Sequence, residues 1–140
     1  MKVDFKVSGA PLGGTRDARG RYLQTSPLKR ALTANLSETL LDLVREGFEK
    51  QRDPSGSRWA ATERGGRILQ DTGRLRNSWH RRAGNSQFTV SSSVKYGSFH
   101  QSGARHLKAR KMVPDGELPA HWGHALNDTA QAVLKDWFGG

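Results

Sequence analysis

The sequence predicts an α+β fold, with two main helices packed against a small antiparallel sheet and long basic loops between the elements. Three observations carry this. Leu28, Leu32, Leu36, Leu40, Leu43, Val44 and Phe48 recur mostly at spacings of three and four, which lays one apolar stripe along a long helix. Trp122, Ala125, Leu126, Val133, Leu134 and Trp137 mark a second stripe on a final helix, from Ala120 to Phe138. Two short segments show the period of two that belongs to half-buried strands.

The first of these segments is N-terminal. Val3, Phe5 and Val7 alternate with Lys2, Asp4 and Lys6, a pattern of a strand and not of a signal peptide. Residues 8–25 carry Gly9, Pro11, Gly13, Gly14 and Gly20 among arginines and read as a flexible basic loop. Ser26-Pro27 starts the long helix, since serine caps and proline suits the first helical position. Gly47 costs that helix roughly 1 kcal/mol relative to alanine, so its last turn is expected to fray. Asp53-Pro54-Ser55-Gly56 stops it.

The loop over residues 53–67 and the arginine-rich stretch to Arg76 hold no long apolar pattern. Arg58 to Gly66 is therefore expected to be mobile in the free subunit. Ser78–Arg82 and Gln87–Val94 resemble two strands joined by Ala83-Gly84-Asn85-Ser86, with Phe88, Val90, Ser92 and Val94 on one face. Tyr96 to Gly103 fits a single helical turn, Arg105 to Lys111 is a basic segment, and Pro114 to Pro119 is a loop. The length suits one domain, residues 1–140.

Composition restricts function further. With 34% hydrophobic residues and 16 glycines, part of the chain is expected to be arm or loop that adds little to a core. The net charge of +10 calls for an anionic counterpart: nucleic acid, an acidic protein surface or an anionic membrane. No apolar run is long enough to cross a bilayer, so no membrane partner is expected. With no cysteine there is no disulfide framework and no thiolate chemistry.

His121 and His124 stand at i and i+3, with His100 and His106 upstream and Asp115, Glu117 and Asp128 near in sequence. No complete metal motif accompanies them, so no metal and no cofactor is expected. There is no nucleophile elbow and no phosphate-cradling glycine loop, and paired carboxylates are scarce, so no catalytic residue is assigned and no enzyme is expected. Arg58, Arg64, Arg67, Arg74, Arg76, Arg81 and Arg82 cluster centrally, and Arg16, Arg19 and Arg21 lie in the glycine-rich loop. Arginine suits phosphate contact, but no sequence-reading motif is present. A solvated or protein-facing basic surface and sequence-independent DNA contact both stay open. Trp59 follows a turn in a polar stretch, where an aromatic either staples the loop or anchors a partner; stapling is the commoner case. Trp122 and Trp137 fit a helix core.

Four segments resemble a known family. Phe48 to Trp59 runs through Pro54 and Gly56, a helix end in Phe followed by a Pro-x-Gly turn leading to Trp. Ile68 to Ser78 includes Leu69, Asp71, Thr72, Gly73, Leu75 and Ser78. Tyr96 to Gly103 has His100-Gln101 at its centre, and Ala109 to Pro114 precedes the final helix. Together, in this order across Leu28 to Phe138, they resemble the phage virion morphogenesis, or tail-completion, family of Mu-like phages. The resemblance implies a structural subunit of the virion, assembled in the host cytoplasm, at the head-proximal end of the tail or in the neck joining tail to head. It implies rings, expected to be sixfold, around the DNA path, with other neck, connector and tail-terminator proteins as partners. The motif residues read as architecture: Pro54 and Gly56 make a turn, Asp71-Thr72-Gly73 turns the chain toward the hairpin, and His100 and Gln101 bond neighbouring backbone. Arg16, Arg19, Arg64 and Arg67 are the residues expected to face DNA.

Overall fold

The computed structural model describes residues 2–6, 26–61, 73–84, 87–94, 97–103 and 108–139, with the backbone alone for residues 2–6, Ser26 and Ser98. The elements are β1 (Lys2–Lys6), α1 (Ser26–Lys50), α2 (Arg74–Asn77), β2 (Trp79–Ala83), β3 (Gln87–Ser92), α3 (Gly97–Ser102) and α4 (Ala120–Gly139). The fold is α+β as the patterns predict.

The strands form one antiparallel sheet in the order β1-β3-β2. Register pairs Val3 with Val90 and Phe5 with Phe88, while Trp79 stands opposite Ser92 and Arg81 opposite Val90. The alternation of β3 is realised as expected: Phe88, Val90 and Ser92 are buried, and Gln87, Thr89 and Ser91 are not. β2 starts one residue later than the sequence pattern suggests. Ser78 instead ends α2, its backbone N–H and Oγ both donating to the Leu75 carbonyl. Its hydroxyl also meets that of Ser92, which ties α2 to β3.

α1 is the shared element of the architecture. It packs on β2 and β3 on one side and against α4 on another. At 1.5 Å per residue its 25 residues run for about 37 Å. The stripe read from sequence is its buried face, from Leu28 to Phe48. Two small polar residues are buried in the same helix. Thr33 Oγ1 donates to the Gly84 carbonyl at 2.6 Å, and Ser37 accepts a bond from Arg81 at 3.2 Å. Arg81 lies on the Trp79 side of β2, reaching α1, whereas His80 and Arg82 fall on the opposite side. Thr39 and Thr129 join α1 to α4 through their hydroxyls at 2.6 Å.

Gly47 does not end α1 early: the helix continues to Lys50, and Gln51 then takes a left-handed φ of 53°. Arg52 N donates to the Gly47 carbonyl at 3.1 Å, the six-to-one bond of a Schellman cap. A Cβ on residue 47 would sit 3.2 Å from the Arg52 carbonyl oxygen, so the cap itself favours glycine there.

α4 corrects one expectation. Trp122 and Leu126 are buried and Ala125, Ala130, Val133 and Leu134 pack against the core, but Trp137 is 47% exposed and Phe138 60%. The stripe continues past the surface that α1 covers.

Candidate functional site

The family-like residues come together where α1 ends. The chain leaves the helix at Gln51 and makes a narrow loop, closed by a bridge between Arg52 and Arg58. Asp53 organises it. Its carbonyl accepts from Gly56 N at 2.9 Å, its N–H donates to the Ser57 carbonyl at 2.8 Å, and its carboxylate accepts from Ser57 N and Ser55 Oγ. Gly56 has φ of 97°, a left-handed value that disfavours any side chain although open space surrounds the position. Pro54 is buried at the turn.

Beyond the turn Trp59 returns to the helix it left. Trp59 N donates to the Gln51 carbonyl, and its ring meets Phe48 edge to face, with centroids 5.4 Å apart. Phe48 is fully buried and Trp59 nearly so. The indole Nε1 donates to the Lys111 carbonyl at 2.9 Å. Stapling is therefore what Trp59 does. It fastens the α1 exit to a segment far along the chain.

That segment, 108–114, is gripped from three directions. Arg110, read from sequence as part of a basic stretch, is buried. Its Nε donates to the Ala60 carbonyl at 2.9 Å and its NH2 group to the Ala61 carbonyl at 3.1 Å. Residues 58–61, expected to be mobile, are thus pinned at Trp59, Ala60 and Ala61. Arg110 N donates to the His100 carbonyl at 2.6 Å. Gln101 completes the grip: Nε2 donates to the Val113 carbonyl at 2.7 Å, and Oε1 accepts from Met112 N at 2.8 Å and Val113 N at 3.3 Å. α3, which presents His100 and Gln101, is closed by Gly103. At φ of 82° its N–H donates to the Phe99 carbonyl, a left-handed cap.

His100 is held below its ordinary value of 6.5, first by burial and then by the Arg110 charge. The fold prefers the neutral ring, so as pH falls the unfolded chain takes up this proton first. The contribution to stability is complete above 6.5 and is lost as pH falls through the folded value. His100→Gln is expected to flatten the drop in unfolding temperature between about pH 7 and about pH 5. A variant whose unfolding temperature falls as steeply as that of the wild type would assign the drop to other groups.

A shallow pocket of about 170 Å³ opens beside the same turn, lined by Leu43, Gly47, Pro54, Met112 and Trp122 among others. The carboxylates on its wall are engaged, Glu46 by Lys50 and Asp53 by Ser55 and Ser57. Among the described residues no three His, Asp or Glu side chains gather as metal ligands, and His121 and His124 are exposed on α4. Among them too, no helix is long and apolar enough to cross a membrane.

Of the other motif residues, Leu75 is buried in the core and Ser78 bonds Ser92, while Gly73 starts α2 at φ of 72°. Leu69, Asp71, Thr72, Tyr96 and His106 lie outside the described residues. So do Arg16, Arg19, Arg21, Arg64 and Arg67, and with them the expected loop over residues 8–25. Arg110 lies in the family-like segment Ala109 to Pro114, but its burial and its bonds to the Ala60 and Ala61 carbonyls were not read from sequence, where it counted as part of a basic stretch. Two signals mark it: its place in the family-like segment Ala109 to Pro114 and the neighbouring Met112-Val113, an apolar pair in an otherwise polar stretch.

The arrangement is a clasp: two aromatic rings, one arginine and one glutamine bind three chain segments through backbone carbonyls and amides. It fixes the local shape of the chain. No curated protein and no solved structure matches the chain. A family model, that of the phage virion morphogenesis family, matches residues 14–123, a span containing the whole clasp, and the chain therefore belongs to that family and serves in building the phage particle.

Proposed function

We propose that this chain is a ring-forming tail-completion or head–tail joining subunit in the neck of the virion, set around the DNA path, and that it acts without catalysis. The observation that carries the reading is the family match over residues 14–123. The exposed Trp137 and Phe138 support it, because a single copy leaves adjacent aromatics open that an assembly would cover. Its partners are other copies of itself, expected as a hexamer, and the neighbouring connector, neck and tail-terminator proteins. In a hexamer, six copies at +10 carry 6 × 10 = +60. A 140-residue domain is about 37 Å across, and duplex DNA presents roughly 22 phosphate charges over that length. Most of the charge therefore faces protein or solvent, and a minority, with Arg16, Arg19, Arg64 and Arg67 as candidates, faces the lumen.

A phage lacking this gene is expected to make DNA-filled heads and separate tails, or tails of wrong length, with packaging intact. Electron microscopy of the lysate checks this. Normal infectious particles, or heads left empty by failed packaging, would refute it. The second reading is a basic, sequence-independent nucleic-acid-binding module. The exposed Arg82 and Arg58 favour it. Under it, the deletion would leave head–tail joining undisturbed.

A further inference from the structure

The sheet has two unlike faces. The face toward α1 holds Phe88, Val90 and Trp79. On the other, β3 presents Gln87, Thr89 and Ser91 as a row of amide and hydroxyl groups. β2 adds His80 and Arg82, both exposed, opposite Ser91 and Thr89. On the far side of β3, the register partners of Ser91, Thr89 and Gln87 are Lys2, Asp4 and Lys6. A row of neutral hydrogen-bonding groups is thus bordered by basic positions on both sides, with one acidic position among them.

We propose that this solvent face of the sheet is a sequence-independent contact surface for the phosphates of duplex DNA. Phosphate oxygens are bound mainly by Arg and Lys together with Ser, Thr and Gln, the residue types found here. The described side chains of the face include no apolar one, whereas the centre of a protein–protein interface is enriched in aromatic residues and depleted of charge. The one aromatic ring among them is the His80 imidazole, bonded to the Ser91 hydroxyl at 3.1 Å, so the face offers no run of rings on which successive unpaired bases could stack, and the intact duplex backbone is the better fit. Arg81 is the exception among the exposed arginines of β2. Its guanidinium is occupied by α1, which leaves Arg82 as the strand's outward cation.

The proposal rests on the neck reading for its source of duplex, but its test is separate. Binding of the full-length chain to a labelled random-sequence duplex is followed by fluorescence anisotropy across a salt series. Wild type is compared with Arg82→Glu, Thr89→Glu and, as a control of equal charge change on another element, Arg45→Glu. Arg82→Glu is expected to weaken binding roughly tenfold and to lower the slope of log K against log salt by about 1. Thr89→Glu weakens binding as well, and Arg45→Glu changes it little. Thermal unfolding of each variant establishes that it is folded. Equal weakening by Arg45→Glu would show that net charge and not this face governs binding. Wild-type affinity in a folded Arg82→Glu variant would overturn the proposal, and so would a wild-type protein that ignores duplex at low salt. Light scattering on the same samples reads the oligomer. A monomer counts against the ring and leaves the DNA result standing.

Discussion

Trp59→Ala is expected to destabilise the protein by about 3–5 kcal/mol, the range for removing a large buried aromatic side chain. Three losses combine. The indole is nearly buried, and its removal opens a cavity beside Phe48. The edge-to-face contact disappears. The Lys111 carbonyl loses the indole N–H that bonds it at 2.9 Å. Trp59→Phe separates these effects. It keeps much of the buried ring and removes the hydrogen bond, for a loss of about 1–3 kcal/mol. Urea unfolding of the two variants measures both numbers. If Trp59→Ala costs no more than an exposed substitution, within about 0.5 kcal/mol, then Trp59 is not a staple.

A staple at this position also links stability to function. Trp59 holds the α1 exit against residues 108–114, and those residues lead directly to α4. α4 carries the exposed Trp137 and Phe138 at its far end. If those aromatics are a contact between copies, the clasp sets where they point relative to the sheet. A weakened clasp would then lower assembly before it unfolds the subunit.

The two long helices were legible because burial on one side imposes a 3.6-residue period that no other structure needs. β3 was legible for the same reason at period two. The limits are equally physical. Periodicity in α4 identifies the stripe and not the length of its partner, so Trp137 has the spacing of a core residue and the environment of a surface one. Charge does not reveal burial: Arg110 and Arg82 look alike in sequence, but Arg110 fills the space between two carbonyls and Arg82 faces water. The same holds for Arg81, whose side of the strand follows from the register set by Trp79. The role of Trp59 was legible as a staple because an isolated aromatic past a polar turn has few other uses. Its partner was not. The bond goes to a backbone carbonyl 52 positions away, and every residue has one.

Gln101→Leu is the second change with a large expected effect, about 2–4 kcal/mol of lost stability. Leucine nearly matches glutamine in volume and is a good helix former, so packing and propensity change little. What changes is the backbone at 112–113. Met112 N and Val113 N lose the Oε1 acceptor, and the Val113 carbonyl loses the Nε2 donor. Met112 and Val113 are buried, so water does not readily replace the lost bonds, and each unsatisfied group costs about 1–3 kcal/mol. Gln101→Glu tests the direction of each bond. A carboxylate keeps an acceptor for the two amides and has no N–H for the Val113 carbonyl, which it would repel. Its loss is expected to fall between wild type and leucine near neutral pH and to shrink in acid, because a protonated carboxyl can donate to that carbonyl again. Chemical denaturation at about pH 7 and about pH 4 gives the comparison. Equal stability of wild type and Gln101→Leu would mean that the amide bonds only exposed backbone. A glutamate variant that weakens further in acid, relative to wild type, would mean that the bond donated to the Val113 carbonyl contributes little to stability.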